Sequence, residues 1–178
     1  MPEEKIQVAI LYADANNVTE FIKTRMENDK WEWVYLGTDT PFSHSLNNLI
    51  GDKGTLCNIA DLLQATAQET RQGFIDYIGA LSSIEKTKFW WVTSISEKNP
   101  FISNCFLYFC YINVVLKIIK NRNKDLLVIC ESPALMDAIN WNLSENEKIR
   151  LYCNVPGSEQ VIQSGKKRLL AYIKTTYF

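Results

Sequence analysis

Three near-continuous apolar runs constrain the fold of this chain more than any other feature. They read "KIQVAILY" (5–12), "KFWWVTS" (88–94) and "DLLVIC" (125–130). Short runs without polar alternation are typical of parallel strands that are buried on both faces. Two further segments, "WEWVYLG" (31–37) and "KIRLYCN" (148–154), have the residue types of strands. The sequence therefore predicts five strands.

Helical patterns separate these strands. They cover 17–29, where Asn17 and Glu20 suggest a capping box, and 56–84, 100–121 and 133–142. Strands that alternate with helices predict an α/β fold: a Rossmann-like, doubly wound, predominantly parallel five-stranded sheet with helices on both faces. We expect the strand order 3-2-1-4-5. The stretch 38–55 is the least regular part and is interpreted as a loop.

The segment 101–120, "FISNCFLYFCYINVVLKIIK", is apolar nearly all round. Such a helix is either a core helix or a membrane span. Asn104, Asn113 and Lys117 interrupt it, and it lies between two predicted strands of one sheet. These features favour a buried central helix.

Composition excludes several classes of protein. Hydrophobic residues make up 47% of the chain, which supplies a globular core, and the net charge of −1 argues against nucleic acid as a partner. The five cysteines form no CxxC pair and the chain has one histidine, so we expect free thiols, a cytoplasmic location and no metal site. The acidic N-terminus does not resemble a signal peptide. The first turn lacks the G-x-G-x-x-G pattern, so no dinucleotide cofactor is expected.

A cap residue followed by proline recurs after the predicted strands. The pairs are Thr40-Pro41, Asn99-Pro100 and Ser132-Pro133. Such a pair begins a helix, so the polar patches are strand-to-helix turns at the carboxyl edge of the sheet, where open α/β sheets bind ligands. We expect the turns at 14–17, 37–41, 94–100 and 131–133 to line one cleft.

Carboxylates at these turns have two readings. An acid near a helix N-terminus stabilises the helix dipole, and an acid facing a cleft can be a general base. Glu97 is the best candidate base, because its turn is the longest. His44, in the predicted loop, is a weaker proton-transfer candidate, since a lone loop histidine is usually exposed. The candidate ligand-binding residues are Asp14, Asn17, Asp39, Ser94, Ser96, Lys98, Asn99, Glu131 and Ser132.

The tail, "SGKKRLLAYIKTTYF", is basic and aromatic. We expect one α/β domain over 1–160. We interpret 161–178 as a closing helix, as a linker toward a second lobe, or as a peripheral contact with the inner face of a membrane through its lysines and arginine.

One part of the chain resembles a known family. "WWVTSISEKNPFISNCFLYFCYINVVLKI", followed by "DLLVICESPALMDAI", is similar to the N-terminal half of bacterial surface-carbohydrate biosynthesis proteins, which look like two-lobed GT-B glycosyltransferases. The resemblance covers about residues 85–140. It implies a Rossmann-like lobe on the acceptor side of a cleft, a carbohydrate or lipid-linked glycan acceptor, and a nucleotide-sugar donor bound to a C-terminal GT-B lobe. It carries over the turns at 94–99 and 131–132 without assigning roles to their residues.

Because the sequence stops soon after the fifth predicted strand, we expect no cofactor on this chain and no transfer by this chain alone. Two other functions remain open at this point. One is a stand-alone α/β module that binds a phosphorylated metabolite, and the other is a non-catalytic interaction domain in polysaccharide assembly.

Overall fold

A computed structural model describes residues 6–26, 31–84, 104–121, 124–144 and 146–154. Its strands are β1 (Ile6–Tyr12), β2 (Trp31–Leu36), β3 (Gly54–Leu56), β4 (Asp125–Cys130) and β5 (Ile149–Asn154). They form one sheet in the order β3-β2-β4-β1-β5, and every pairing is parallel. The helices of the described residues are α1 (Ala15–Arg25), α2 (Thr40–Ile50), α3 (Ala60–Ile84), α4 (Cys105–Asn121) and α5 (Pro133–Leu143).

The central strands are buried on both faces, and each face has its own core. On the first face, alternate residues such as Ala9 and Ile129 pack under α1 and α2. On the second face, residues such as Val8 and Val128 pack under α4 and α5. This placement explains the continuous apolar runs of β1 and β4, because side chains on both faces of these strands are shielded from water.

The connections are divided between the two faces according to their direction. The chain moves from β1 through β2 to the edge strand β3 with α1 and α2 on the first face. It returns to β4 and then to β5 with α4 and α5 on the second face. Right-handed crossovers require this division. The predicted fold class, a doubly wound α/β sheet, is therefore confirmed.

The predicted strand order 3-2-1-4-5 is wrong. β4 lies between β1 and β2, and β5 pairs with β1. The predicted third strand at 88–94 lies outside the described residues. The third strand of the described sheet is β3, which is only 3 residues long.

The interpretation of 38–55 as a loop is also wrong. This stretch forms α2, a 3-10 turn at Gly51–Lys53 and β3. The helix buries Leu46 and Ile50, which are one turn apart on the face toward the sheet.

The apolar segment before β4 is a buried helix, as expected. α4 buries Cys110, Tyr111, Val114, Val115 and Ile118. On its other side it packs against α3, where Lys117 Nζ lies 2.5 Å from Glu69 Oε2 and donates to the Thr66 hydroxyl at 3.2 Å. Among the helices in the described ranges, none combines the length and the apolar character needed to cross a membrane.

The cysteines are free thiols, as expected. Cys57, Cys110 and Cys130 are buried, while Cys105 and Cys153 are partly buried. Burial, with a smaller contribution from the charge of Asp137, raises the pKa of Cys153 to about 11. Burial also raises the pKa of the Cys105, Cys110 and Cys130 thiols, so none of these four is activated as a thiolate nucleophile.

Candidate functional site at the carboxyl edge

Three of the four predicted turns meet at one edge of the sheet. The last residues of β2, β4 and β1 are paired in register, Leu36 with Cys130 and Cys130 with Tyr12. The turns that follow these strands at 13–14, 37–39 and 131–132 are therefore neighbours. The fourth turn, with Ser94, Ser96, Glu97, Lys98 and Asn99, lies outside the described residues.

The carboxyl ends of β1 and β4 lie side by side. The Ala13 N–H donates to the Cys130 carbonyl at 2.8 Å, so the two strands stay joined as far as their turns. From there α1 leaves toward the first face of the sheet and α5 toward the second. β4 lies between β1 and β2, whose helices α1 and α2 both lie on the face opposite to α5, so the topological switch point at which doubly wound sheets bind ligands lies at the ends of β2, β4 and β1.

Three of the predicted site residues are helix caps. The Asp14 carboxylate accepts the Asn17 backbone N–H at 3.1 Å, and Asp39 accepts the Phe42 N–H at 2.9 Å. Ser132 caps α5 by accepting the Leu135 N–H at 3.4 Å. Each side chain satisfies a backbone donor that a helix leaves free in its first turn.

Two caps differ from the prediction. Asn17 is not the N-cap of α1. The N-cap is Asp14, the residue before the helix, and its carboxylate accepts the backbone N–H of Asn17. Thr40 is not the cap of α2, because Asp39 precedes it and caps the helix. Ser132-Pro133 has the predicted arrangement, with proline at the start of α5.

Glu131 joins the end of β4 to the turn between β2 and α2. Its Oε1 accepts hydrogen bonds from the Tyr35 hydroxyl and from the Asp39 backbone N–H, the latter at 3.0 Å. Its Oε2 accepts the Thr38 backbone N–H, also at 3.0 Å. Both oxygens are therefore held by donors of the protein itself.

These donors determine the charge of Glu131. Burial raises the pKa of the carboxyl, but the hydrogen bonds from Tyr35 and from the backbone of Asp39 and Thr38 outweigh burial and lower the pKa below its ordinary value. A general base works best with a pKa near the working pH. Glu131 is thus a fixed carboxylate that braces two turns, and it is poorly suited to accept a proton.

Tyr35 is the counterpart of this carboxylate. Burial raises the pKa of its hydroxyl, and the hydrogen bond and charge of Glu131 raise it further. The phenol therefore stays protonated and donates to Glu131. Its ring packs on Phe42 of α2 with centroids 5.8 Å apart, which orients the hydroxyl toward β4.

Gly37 permits the close approach of Glu131. A Cβ at this position would lie 2.5 Å from Glu131 Oε1 and 2.5 Å from Tyr35 Cζ. Real Cβ contacts are not this short, so a side chain at residue 37 and the brace cannot coexist as they stand. Sequence reasoning missed Gly37 and Tyr35. A glycine directly after a buried strand was the one available signal for close backbone packing.

His44 lies on the exposed side of α2 rather than in a loop. Among the hydrogen bonds and ion pairs of the described residues, none joins His44 to the three turns. Within the described ranges, no group of three or more histidine, cysteine, aspartate or glutamate side chains is arranged to hold a metal ion. The tail at 161–178, with its predicted membrane contact, lies outside the described residues.

The fold and the edge define the class of this protein: a doubly wound α/β protein whose strand-to-helix turns meet at a topological switch point. No family model, curated protein or solved structure matches the chain. The function is therefore argued from the residues.

Proposed function

We propose that the chain is the acceptor-side domain of a GT-B-like glycosyltransferase that acts in surface polysaccharide biosynthesis at the cytoplasmic face of the membrane. One observation carries the proposal. The described part of the segment that resembles this family forms α4, β4 and α5, and it supplies the middle of the carboxyl edge with its Glu131–Ser132 turn. A doubly wound lobe is the architecture that the resemblance implies.

In this proposal the acceptor lies at the carboxyl edge, at the ends of β2, β4 and β1. A carbohydrate or lipid-linked glycan acceptor presents hydroxyl groups, and one of them must lose a proton as it attacks the donor sugar. Glu131 is a poor base for this step, because its oxygens are already engaged. The proposal therefore assigns the step to Glu97, in the turn that the family resemblance covers.

The remaining polar residues of that turn have supporting roles. Lys98 supplies a positive charge for anionic groups of the acceptor or donor, and Ser94, Ser96 and Asn99 supply hydrogen bonds. The nucleotide-sugar is held mainly by the second lobe of the GT-B arrangement. Transfer needs both lobes, since closure excludes water and aligns the donor with the acceptor.

The test compares the same substitution at two acids in the protein that carries both lobes. Glu97→Gln keeps the shape and removes the base, so we expect kcat to fall by about 10²–10⁴-fold while acceptor affinity changes little. Glu131→Gln is the matched control. We expect it to lower thermal stability and to leave kcat within about tenfold at a temperature where the variant is folded.

Two results would contradict the proposal. The first is near-normal turnover by Glu97→Gln, which would make Glu97 a helix-dipole partner. The second is measurable sugar transfer by residues 1–178 alone, which would place the donor site within this domain. Binding of small sugar phosphates to the carboxyl edge without any dependence on a glycan acceptor would favour a module for a phosphorylated metabolite instead.

A further inference from the structure

A cavity lies on the first face of the sheet, near the beginnings of the strands and away from the carboxyl edge. It is the gap between the last turn of α1 and the edge strand β5, and its volume is about 210 Å³. Ile149, Leu151 and Cys153 of β5 pack on the second face. The alternate residues, Arg150 and Tyr152, are therefore turned toward α1. Its lining includes Gln7, Phe21, Arg25, Trp31, Arg150 and Tyr152.

The floor of this cavity is aromatic. Phe21 packs edge-on against Trp31 with centroids 5.4 Å apart, and it contacts the Tyr152 ring at 5.6 Å. Phe21 and Trp31 are buried, while Tyr152 remains 39% exposed. Because Phe21 and Trp31 are buried, Tyr152 is the ring of the three whose exposed surface can meet the weakly positive C–H groups of a sugar ring.

The rim of the cavity is cationic. The Arg25 guanidinium lies over the Tyr152 ring, with its carbon 5.2 Å from the ring centroid, and Arg150 lines the same gap. Among the described residues, neither guanidinium forms an ion pair with a carboxylate. α1 ends here, and its carbonyl dipole opposes an anion by about half a charge. Asp125, whose carboxylate accepts the Gln7 backbone N–H at 2.8 Å, adds one negative charge beside the cavity. The two guanidinium charges exceed the sum of this charge and the dipole.

Size and chemistry together select the ligand. The cavity is smaller than the roughly 300 Å³ that drug-sized ligands need, so it fits one sugar ring rather than a nucleotide-sugar. Guanidinium groups bind carboxylate or phosphate through paired N–H donors, and the Gln7 amide adds a donor and an acceptor. We propose that this gap binds a single pyranose that carries an anionic group, either a carboxylate or a phosphate.

The experiment is an NMR titration of residues 1–178 with glucuronate, glucose 6-phosphate, glucose, inorganic phosphate and benzoate. We expect glucuronate or glucose 6-phosphate to bind at least tenfold more tightly than glucose or inorganic phosphate, with shifts at Tyr152 and Gln7. Whichever of the two binds more tightly identifies the anionic group.

Arg150→Ala should weaken that binding by about tenfold or more, because it removes charge-assisted hydrogen bonds. Arg150→Lys keeps the charge without the paired donors and should lie in between. Arg71→Ala removes the same charge from the exposed surface of α3 and should change nothing.

Four outcomes would overturn the inference. They are no binding, inorganic phosphate binding as tightly as glucose 6-phosphate, benzoate binding more tightly than glucuronate, or equal effects of Arg150→Ala and Arg71→Ala. The inference does not rest on the glycosyltransferase proposal. The probes test a site away from the carboxyl edge, so failure here leaves the Glu97 test unaffected, and the reverse also holds.

Discussion

Gly37→Ala tests whether the brace between Glu131 and the β2–α2 turn holds this edge together. The added methyl would lie 2.5 Å from Glu131 Oε1 and from Tyr35 Cζ. The Tyr35 ring is packed against Phe42, so it is not free to swing aside. The carboxylate must therefore move, and it loses hydrogen bonds from the turn when it does.

The expected loss in the free energy of unfolding has two parts. Overpacking costs about 1–3 kcal/mol. A lost hydrogen bond to a charged group costs roughly 1.5–3 kcal/mol, and Glu131 accepts two from backbone N–H groups. Because the carboxylate can shift without losing both, we expect Gly37→Ala to lower the free energy of unfolding by about 2–5 kcal/mol. For a chain of this size that lowers Tm by about 4–20 °C.

Urea and thermal denaturation followed by circular dichroism measure this loss. Gly73→Ala is the matched control, because nothing lies within 4 Å of a Cβ there and alanine favours the helix by about 0.5–1 kcal/mol. In a Glu131→Ala background the cost of Gly37→Ala should shrink, since Tyr35 is then the main neighbour. A loss below about 0.5 kcal/mol, or an equal loss in both backgrounds, would refute the reasoning.

Two further predictions concern the same edge. The lowered pKa of Glu131 means that its contribution to stability is complete above the pKa of an unfolded glutamate, about 4.3, and is lost as pH falls through the lower folded value. In denaturation curves recorded from pH 7 to pH 3, the free energy of unfolding should therefore fall more steeply with decreasing pH for the wild type than for Glu131→Gln. An equal dependence on pH in the two proteins would refute this. Asp14→Ala should lower the free energy of unfolding by about 1 kcal/mol through loss of the α1 cap, whereas Asp14→Ser keeps most of it. Glu20→Ala, the partner in the capping box that the sequence suggests, should have little effect, and a larger loss there than at Asp14 would show that the cap is misassigned.

The strands that the sequence predicts are those with a strong local signal. β1, β2, β4 and β5 coincide with the predicted segments to within a residue, because each has enough apolar or strand-favouring residues to indicate a strand. β3 has 3 residues, too few for any periodicity. α2 was missed because its proline, serines and asparagines are typical of turns, although Phe42, Leu46 and Ile50 have helical spacing.

Strand order and the role of Glu131 depend on contacts between distant parts of the chain. The pairing of β4 with β2, rather than of β1 with β2, leaves no trace in local patterns. Glu131 meets the Thr38 N–H across 93 positions of sequence. Its position before α5 suggested a dipole partner or a base, and only the opposing turn reveals a brace.

The insertion of β4 between β1 and β2 has a consequence for synthesis of the chain. β1 pairs only with β4 and β5 among the described strands, and the Gln7 N–H meets Asp125 across 118 positions. Ribosomes add about 5–20 residues per second, so β1 waits roughly 6–24 s for its first partner. During that interval β1 exposes two unpaired edges, and such edges recruit strands from other chains. We therefore expect β1 to be open to pairing with other chains until β4 has been synthesised.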